Sequence, residues 1–154
     1  EQQKKINLNQ QTEILNQQKE IDSIKKIENQ RISDLNAAEL IKTKKTQEAK
    51  LVQEMKSLGN FPILKFSDSN TSDSFEINKP SMSFGRDQSS NDVHISNLNM
   101  SRTHFSIVFK EFQYIILDNN STNGMIINGY KLKNSILKHG DIIEIADATF
   151  TFYQ

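Results

Sequence analysis

The first 58 residues of this chain contain no glycine, no proline and no aromatic residue, whereas all nine phenylalanines and all three tyrosines lie further on. A packed core is hard to build without aromatic side chains, and a segment without Gly or Pro has nothing to interrupt a helix. We therefore predict one long helix over residues 1–58, with a poorly ordered tail as the alternative, and a globular domain over residues 59–154.

Apolar residues in the first segment recur at helical steps of three, four and seven. A strict heptad repeat from Ile14 fits poorly, because it places Gln17 and Glu28 on the seam. An eleven-residue repeat such as Ile21 to Ile32 fits better and favours a nearly straight or slightly right-handed supercoil. We interpret this segment as a coiled-coil-like helix that self-associates or docks on a helical partner; a solvated Gln/Asn-rich linker is the alternative.

The charge and the composition exclude several classes of function. Residues 1–58 carry eleven basic and nine acidic residues, and residues 59–154 carry eight and ten, so neither part is basic enough to predict a nucleic-acid or membrane surface. Cysteine is absent, which excludes disulfides and thiolate metal sites and favours an intracellular location. The chain begins at Glu1 rather than Met, so we expect it to be part of a longer polypeptide.

From Phe61 onward the pattern changes to short segments with alternating apolar residues, separated by turn-forming residues. The predicted strands are 61–66, 74–78, 81–86, 92–95, 104–109, 112–117, 125–127, 130–133, 141–146 and 148–153. A hairpin is expected over Lys110-Glu111 and another over Asn128-Gly129. Strands of this length without helices between them predict an all-β antiparallel sandwich, with the loops 86–91, 96–103 and 119–124 at one edge.

These loops hold the residues that are unusual for a plain sandwich. Gly85-Arg86 ends one strand, Ser101-Arg102-Thr103-His104 precedes the next, and Ser121-Thr122-Asn123-Gly124 follows the hairpin. Together they offer two fixed cations, several hydroxyls and one amide. A phosphate carries up to two negative charges and three strong acceptors, which a planar guanidinium and hydroxyl donors match well. The loops therefore predict a site for a phosphorylated side chain on an extended peptide.

The order and spacing of these clusters, continued by Asn128-Gly129 and by Leu137-x-His139-Gly140-Asp141-x-Ile143, resemble the forkhead-associated (FHA) domain family over about residues 61–154. Residues 1–58 are not matched by this resemblance. It implies a sandwich of about eleven strands that binds phosphothreonine in extended peptides.

The resemblance also implies roles for individual residues. Arg86 pairs with the phosphate, Ser101 gives it a hydroxyl hydrogen bond, and Arg102 supplies further donors. Thr122 contacts the phosphate or the nearby backbone, and Asn123 bonds the peptide main chain. The supporting residues it implies are Gly85, His104 and Gly124.

Enzymatic chemistry is not predicted. There is no nucleophile elbow or oxyanion loop around Ser101, and the spacing of His94, His104 and His139 is not that of metal ligands. We therefore expect no catalytic residue, no metal and no cofactor. The simpler interpretation of Arg86 is a surface ion pair with Asp87 or Asp92.

The sequence thus predicts a phosphothreonine-peptide adaptor joined to an oligomerising or docking helix, binding a phosphothreonine-containing protein. The alternative is a structural subunit of a cytoskeletal or ciliary assembly, whose FHA-like domain docks neighbours without phosphate. A further variant is self-recognition, in which phosphorylated Thr12, Thr43 or Thr46 of one copy enters the site of another.

Overall fold

The structure, a computed structural model, describes the backbone of residues 2–154 and the side chains of residues 11–154. It divides into two compact units, one ending at Thr46 and one comprising Gln47–Gln154. A single helix and eleven strands follow in chain order: α1 (Gln2–Ser57), β1 (Ile63–Ser67), β2 (Ser72–Glu76), β3 (Ser81–Gly85), β4 (Val93–His94), β5 (Phe105–Lys110), β6 (Gln113–Asp118), β7 (Met125–Ile127), β8 (Tyr130–Leu132), β9 (Asn134–Ile136), β10 (Ile142–Ile145) and β11 (Ala148–Tyr153).

The strands form two sheets, in the orders β2-β1-β11-β10-β7-β8 and β4-β3-β5-β6-β9. Every observed pair is antiparallel except β3 with the two-residue β4, which is parallel. Burial alternates along the strands, as in β1, where Leu64 and Phe66 are buried between exposed neighbours. This alternation places one face of each sheet against the other. The predicted sandwich with a preceding long helix is confirmed.

Aromatic side chains join the two sheets at the centre of the core. Phe84 of β3 and Phe105 of β5 stack with their ring centroids 4.7 Å apart. Phe105 also meets Phe150 of β11 edge to face at 5.3 Å, across the space between the sheets. Such aromatic pairs add about 0.5–1.5 kcal/mol beyond the apolar area that they bury. They hold the strand ends that carry Gly85 and His104.

The last turns of α1 belong to the same compact unit as the sandwich. Met55 is fully buried within the core, and Leu51 packs against it. The helix ends at Ser57, and Gly59 has a positive φ of 115°, which glycine adopts without steric cost. The helix terminus therefore lies close to where the sequence placed it, and its end contributes side chains to the β core.

Three local details differ from the predicted strands. β2 begins two residues earlier than expected, so the loop before it covers only residues 68–71. The turn between β5 and β6 is Glu111-Phe112 rather than Lys110-Glu111, because Lys110 pairs with Gln113 across the ladder. β9 was not predicted, because Asn134 and Ser135 disfavour strands and the segment has only three residues.

The Asn128-Gly129 hairpin forms as predicted. Both residues have positive φ values, 50° and 86°, as a two-residue hairpin turn of the favoured hand requires. Ala146, in the turn between β10 and β11, also has a positive φ of 53°. This conformation costs an alanine roughly 1–2 kcal/mol, and glycine would adopt it freely.

The side chains of the first unit are exposed along the described part of the helix. Its large apolar residues are between 46% and 69% exposed, namely Ile14, Leu15, Ile21, Ile24, Ile27, Ile32, Leu35, Leu40 and Ile41. Most residues of this part of the helix are polar or charged, and no helix among the described residues has the length and apolar content needed to span a bilayer.

We predict that Met55→Ala destabilises the sandwich by about 2–5 kcal/mol, because it replaces a fully buried side chain with a small one and leaves a cavity in the core. The measurement is urea unfolding of the full chain, followed by the near-UV circular dichroism of its tyrosines, since the chain contains no tryptophan. Leu40→Ala, which changes a side chain that is 57% exposed, is the matched control. Equal unfolding midpoints for Met55→Ala and the unmodified chain would show that the helix end is not part of the core.

Candidate functional site

Three loops meet at one end of the sandwich, as predicted: residues 86–92 after β3, residues 95–104 before β5, and residues 119–124 between β6 and β7. They meet there because β5 runs antiparallel to both β3 and β6, so the start of β5 lies beside the ends of β3 and β6. The loop from β6 to β7 leaves the sheet at this same end. Together they line a cleft of about 600 Å³. Its lining residues are Arg86, Asp87, Ser90, Leu98, Asn99, Met100, Ser101, Arg102, Thr103, Asn120, Thr122 and Asn123.

Arg86 is placed by backbone hydrogen bonds that continue the sheet into the loops. Its N–H donates to the carbonyl of Ser101 at 3.0 Å, and the N–H of Asp87 donates to the carbonyl of Arg102 at 3.0 Å. Gly85 makes this approach possible, because a Cβ at that position would lie 2.2 Å from the carbonyl oxygen of Arg102. A glycine is therefore required by close packing here, and its absence would push the two arginines apart.

Both guanidinium groups remain available to a ligand. Arg86 Nε donates a weak hydrogen bond of 3.3 Å to the carbonyl of Met100. Among the side chains that the structure describes, the ion pairs are Lys79–Asp92 and Lys110–Glu111, so neither Arg86 nor Arg102 has a carboxylate within ion-pair distance, although the charge of Arg102 acts on Asp87. The simpler interpretation of Arg86 as half of a surface ion pair is wrong.

Asp87 does not compete for Arg86 because its carboxylate is held within its own loop. It accepts hydrogen bonds from the backbone and hydroxyl of Ser89 and from the hydroxyl of Ser90. These bonds, first that from Ser90, lower the pKa of Asp87 below its ordinary value. The carboxylate thus stays ionised while it fixes the shape of the loop that carries Arg86.

Ser101 and Thr122 connect the second loop to the third. The Ser101 hydroxyl accepts a hydrogen bond from the Thr122 N–H at 2.9 Å and lies 3.4 Å from the Thr122 hydroxyl. Asn123 donates its amide to the carbonyl of Asn99 at 2.7 Å, which leaves its amide oxygen able to accept. The structure brings all five predicted contact residues, Arg86, Ser101, Arg102, Thr122 and Asn123, to one cleft.

His104 lies directly beneath these loops and is fully buried. Its Nδ1 accepts a hydrogen bond from the Ser101 N–H at 3.0 Å, so its Nε2 carries the proton and donates to the carbonyl of Gly124 at 3.2 Å. Gly124 itself has a positive φ of 70°. The neutral imidazole therefore connects the Ser101 loop to the Gly124 loop, and burial lowers its pKa.

The sequence analysis missed Asn91, which fastens the first loop to the second. Its side-chain amide donates to the carbonyls of both Asp87 and Arg102, each at 2.6 Å. Its amide oxygen is buried and has no hydrogen-bond partner among the described residues. The available signal was its position in a loop of small polar residues after Arg86, but asparagine is common in such loops for its own turn chemistry.

Chemically, the cleft suits an anion. It presents two unpaired guanidinium groups, the hydroxyls of Ser101 and Thr122, and an amide oxygen, on loops fixed by hydrogen bonds. The side chains of residues 11–154 contain no cluster of three or more histidine or acidic residues that could hold a metal ion. Fork-shaped cations beside hydroxyl donors are the arrangement that binds a phosphate group on a protein chain.

Comparison with known proteins supports the fold at this point. The family model for the FHA domain matches residues 82–146. The FHA domain of a Chlamydia trachomatis protein superposes with a TM-score of 0.57 at 23% identity, over 62% of this chain and 98% of that one. A domain studied for phosphothreonine-dependent FHA interactions gives 0.56 at 22% identity, over 62% and 97%.

EmbR of Mycobacterium tuberculosis, solved in complex with a low-affinity phosphopeptide, gives a TM-score of 0.52 at 28% identity. The match covers 59% of this chain and 24% of EmbR. Among curated proteins, none matches this chain in sequence.

The match of the FHA family model to residues 82–146 and the shared fold confirm the resemblance to FHA domains seen in the sequence of the β-sandwich, whereas the long helix has no match.

We predict that stability falls as the pH drops below about 6.5, the ordinary pKa of histidine. Because the pKa of His104 is lowered in the folded chain, the unfolded chain binds more protons in this range, and acid therefore favours unfolding. The measurement is the urea midpoint between pH 8 and pH 5, above the range in which carboxylates titrate. His104→Gln should be less stable but should lose this slope, and His139→Gln, at an exposed position, should keep it. A midpoint that is constant over this range would contradict the assignment of His104 as a buried neutral imidazole.

Proposed function

We propose that the cleft binds phosphothreonine in an extended peptide segment of a partner protein. The observation that carries this proposal is the convergence of Arg86, Arg102 and the Ser101 hydroxyl on one cleft, with neither cation in an ion pair among the described side chains. Two similar proteins support it: one is studied for phosphothreonine-dependent FHA interactions and the other is solved with a phosphopeptide. The protein acts by binding and catalyses no reaction.

In this proposal each loop has a separate task. Arg86 and Arg102 meet the phosphate oxygens with charge-assisted hydrogen bonds. The hydroxyls of Ser101 and Thr122, already within 3.4 Å of each other, supply directional bonds to the same group. The amide oxygen of Asn123 accepts a peptide N–H beside the phosphothreonine. Gly85, Gly124 and His104 keep the loops in place through the contacts described above.

Threonine in the helix of the same chain is a poor ligand for such a cleft. The hydroxyls of Thr43 and Thr46 donate to the carbonyls of Glu39 and Lys42 within α1. An extended binding mode would require this helix to unwind, with loss of its backbone hydrogen bonds. The proposed ligand is therefore a segment of another protein.

We predict that Arg86→Ala and Ser101→Ala each weaken binding of a phosphothreonine peptide by about 1.5–3 kcal/mol, roughly tenfold to a hundredfold, because each removes a bond to a charged group. Isothermal titration of the full chain with a peptide selected from a phosphothreonine library measures this. Lys110→Ala and Ser81→Ala remove an exposed cation and an exposed serine at the far end of the sheet and should bind like the unmodified chain.

Unchanged affinity of both cleft variants would refute the site. Binding of the unphosphorylated peptide with equal affinity would instead favour the structural-subunit alternative, in which the domain docks by shape.

We propose further that residues 14–35 of α1 pair with another helix, first of all that of a second copy. At about 100° per residue, Ile14, Ile21, Ile24, Ile32 and Leu35 fall within an arc of about 80° on one side of the helix. Each of them is about half exposed or more. A stripe of this kind is stable in water when another apolar surface covers it.

We predict that the double variant Ile21→Lys and Ile32→Lys shifts the chain from a dimer or larger species to a monomer, because it places charges within the apolar stripe. Light scattering coupled to size exclusion measures the mass. Ser23→Lys and Gln30→Lys add the same charge on the opposite side of the same turns and should leave the assembly unchanged. If the unmodified chain is a monomer at micromolar concentration, the helix does not self-associate.

A further inference from the structure

The loop that carries Arg86 also carries two neighbouring serines, and one of them is part of the cleft wall. Ser90 lines the cleft together with Arg86 and Arg102, whereas Ser89 is not among the lining residues. Both serines are exposed and lie between β3 and β4, outside the sheet ladders. An enzyme can therefore reach the Ser90 hydroxyl without opening a strand, and any group added to this hydroxyl starts at the edge of the proposed anion site.

The Ser90 hydroxyl is bonded to a carboxylate on which the charge of Arg102 acts. It donates to Oδ2 of Asp87 at 2.6 Å, while the N–H and hydroxyl of Ser89 donate to Oδ1 of the same carboxylate at 3.1 and 3.0 Å. The bond from Ser90 is the first cause of the lowered pKa of Asp87, and the positive charge of Arg102 lowers it further. One hydroxyl proton thus joins Ser90 to the acid beside the two cations.

A phosphate on Ser90 would reverse this attraction. An esterified oxygen has no proton to donate, so the bond to Asp87 is lost, and a group with a charge of about −1.5 to −2 repels the carboxylate. The cleft lies on the other side of Ser90, and neither Arg86 nor Arg102 is in an ion pair among the described side chains. A phosphate opposite an arginine pair gains charge-assisted hydrogen bonds. Repulsion and attraction therefore both direct the added phosphate into the cleft.

We propose that Ser90 is a phosphorylation site for a protein serine kinase and that its phosphate occupies the cleft by pairing with Arg86 and Arg102. The Ser90 oxygen forms a bond to the γ-phosphorus of a nucleoside triphosphate. The bond from that phosphorus to the bridging oxygen breaks, its electron pair leaves with the nucleoside diphosphate, and the hydroxyl proton passes to a base of the kinase.

This inference rests on the proposed function and adds a regulation of the same cleft. An anion held on the loop of the cleft competes at an effective concentration far above that of a separate peptide. The phosphorylated chain therefore releases its phosphothreonine ligand, and removal of the phosphate makes the cleft available again.

The first test compares two singly phosphorylated forms of the full chain, with phosphoserine incorporated during synthesis at position 90 or at position 81. Isothermal titration with the phosphothreonine peptide should show about tenfold or weaker binding for the form phosphorylated on Ser90, and phosphatase treatment should restore the affinity. Ser81 is exposed at the far end of β3, so phosphate there adds the same charge outside the cleft and should leave binding unchanged.

The second test does not depend on peptide binding. Phosphorus NMR follows the loss of the second phosphate proton, which occurs at about pH 6 in a free phosphoserine. Pairing with two guanidinium groups favours the dianion, so the midpoint for phosphorylated Ser90 should lie below that value and should rise in Arg102→Ala. Phosphorylated Ser81 should titrate at the ordinary value with or without this substitution.

The outcomes separate this inference from the proposed function. If the chain phosphorylated on Ser90 binds the peptide as tightly as the unmodified chain, or if its phosphate titrates as that on Ser81 does, the pairing is refuted and the phosphothreonine site stands. If no phosphopeptide binds the unmodified chain, the proposed function is wrong, and the NMR midpoint alone decides whether the phosphate enters the cleft. Mass spectrometry of the protein from its own cells should find phosphate on Ser90, and its absence there would refute the modification.

Discussion

The site depends on two backbone hydrogen bonds that tie the end of β3 to the loop before β5, from Arg86 N–H to Ser101 and from Asp87 N–H to Arg102. Each bond is ordinary, but together they hold the backbone segments of Arg86 and Arg102 side by side, so that both side chains line the cleft. Gly85 allows the two backbone segments to lie this close together. The side-chain amide of Asn91 joins them further, because it donates to a carbonyl in each loop.

The electrostatics of the cleft follow from how nearby carboxylates are occupied. The domain carries a net charge of −2, so it offers no general attraction for a phosphate. Asp87 is bound by two serines, Asp92 by Lys79 and Ser83, and Asp118 by Ser121. Because each of these carboxylates is hydrogen-bonded to other groups and none forms an ion pair with Arg86 or Arg102, both arginines keep their charge available to the cleft. Any attraction for an anion is therefore confined to the cleft and depends on where Arg86 and Arg102 are placed.

The sequence predicted the parts of this molecule that depend on near neighbours. The alternation of apolar residues predicted most strands, and Asn128-Gly129 predicted its hairpin. The glycine and proline after residue 58 predicted where the helix ends. The cluster around Ser101 gave the chemistry of the site. The sequence did not predict the hydrogen bonds of Asn91 to Asp87 and Arg102. Nor did it predict those of the buried Asn97 to Asp68 and Asp147, because these partners lie up to 50 residues away and asparagine is common in loops for other reasons. The burial of Met55 was missed for a similar reason, since a helical methionine reveals nothing about which surface covers it.

The end of α1 that joins the sandwich contributes to its core and not to the cleft. Met55 is fully buried in the core and Leu51 packs against it, whereas the residues that line the cleft all lie between Arg86 and Asn123. The cleft is built where β3 ends, at Gly85 and Arg86. Within this compact unit, the side chains that pack the helix end against the core and the side chains proposed to bind a peptide are thus two separate sets.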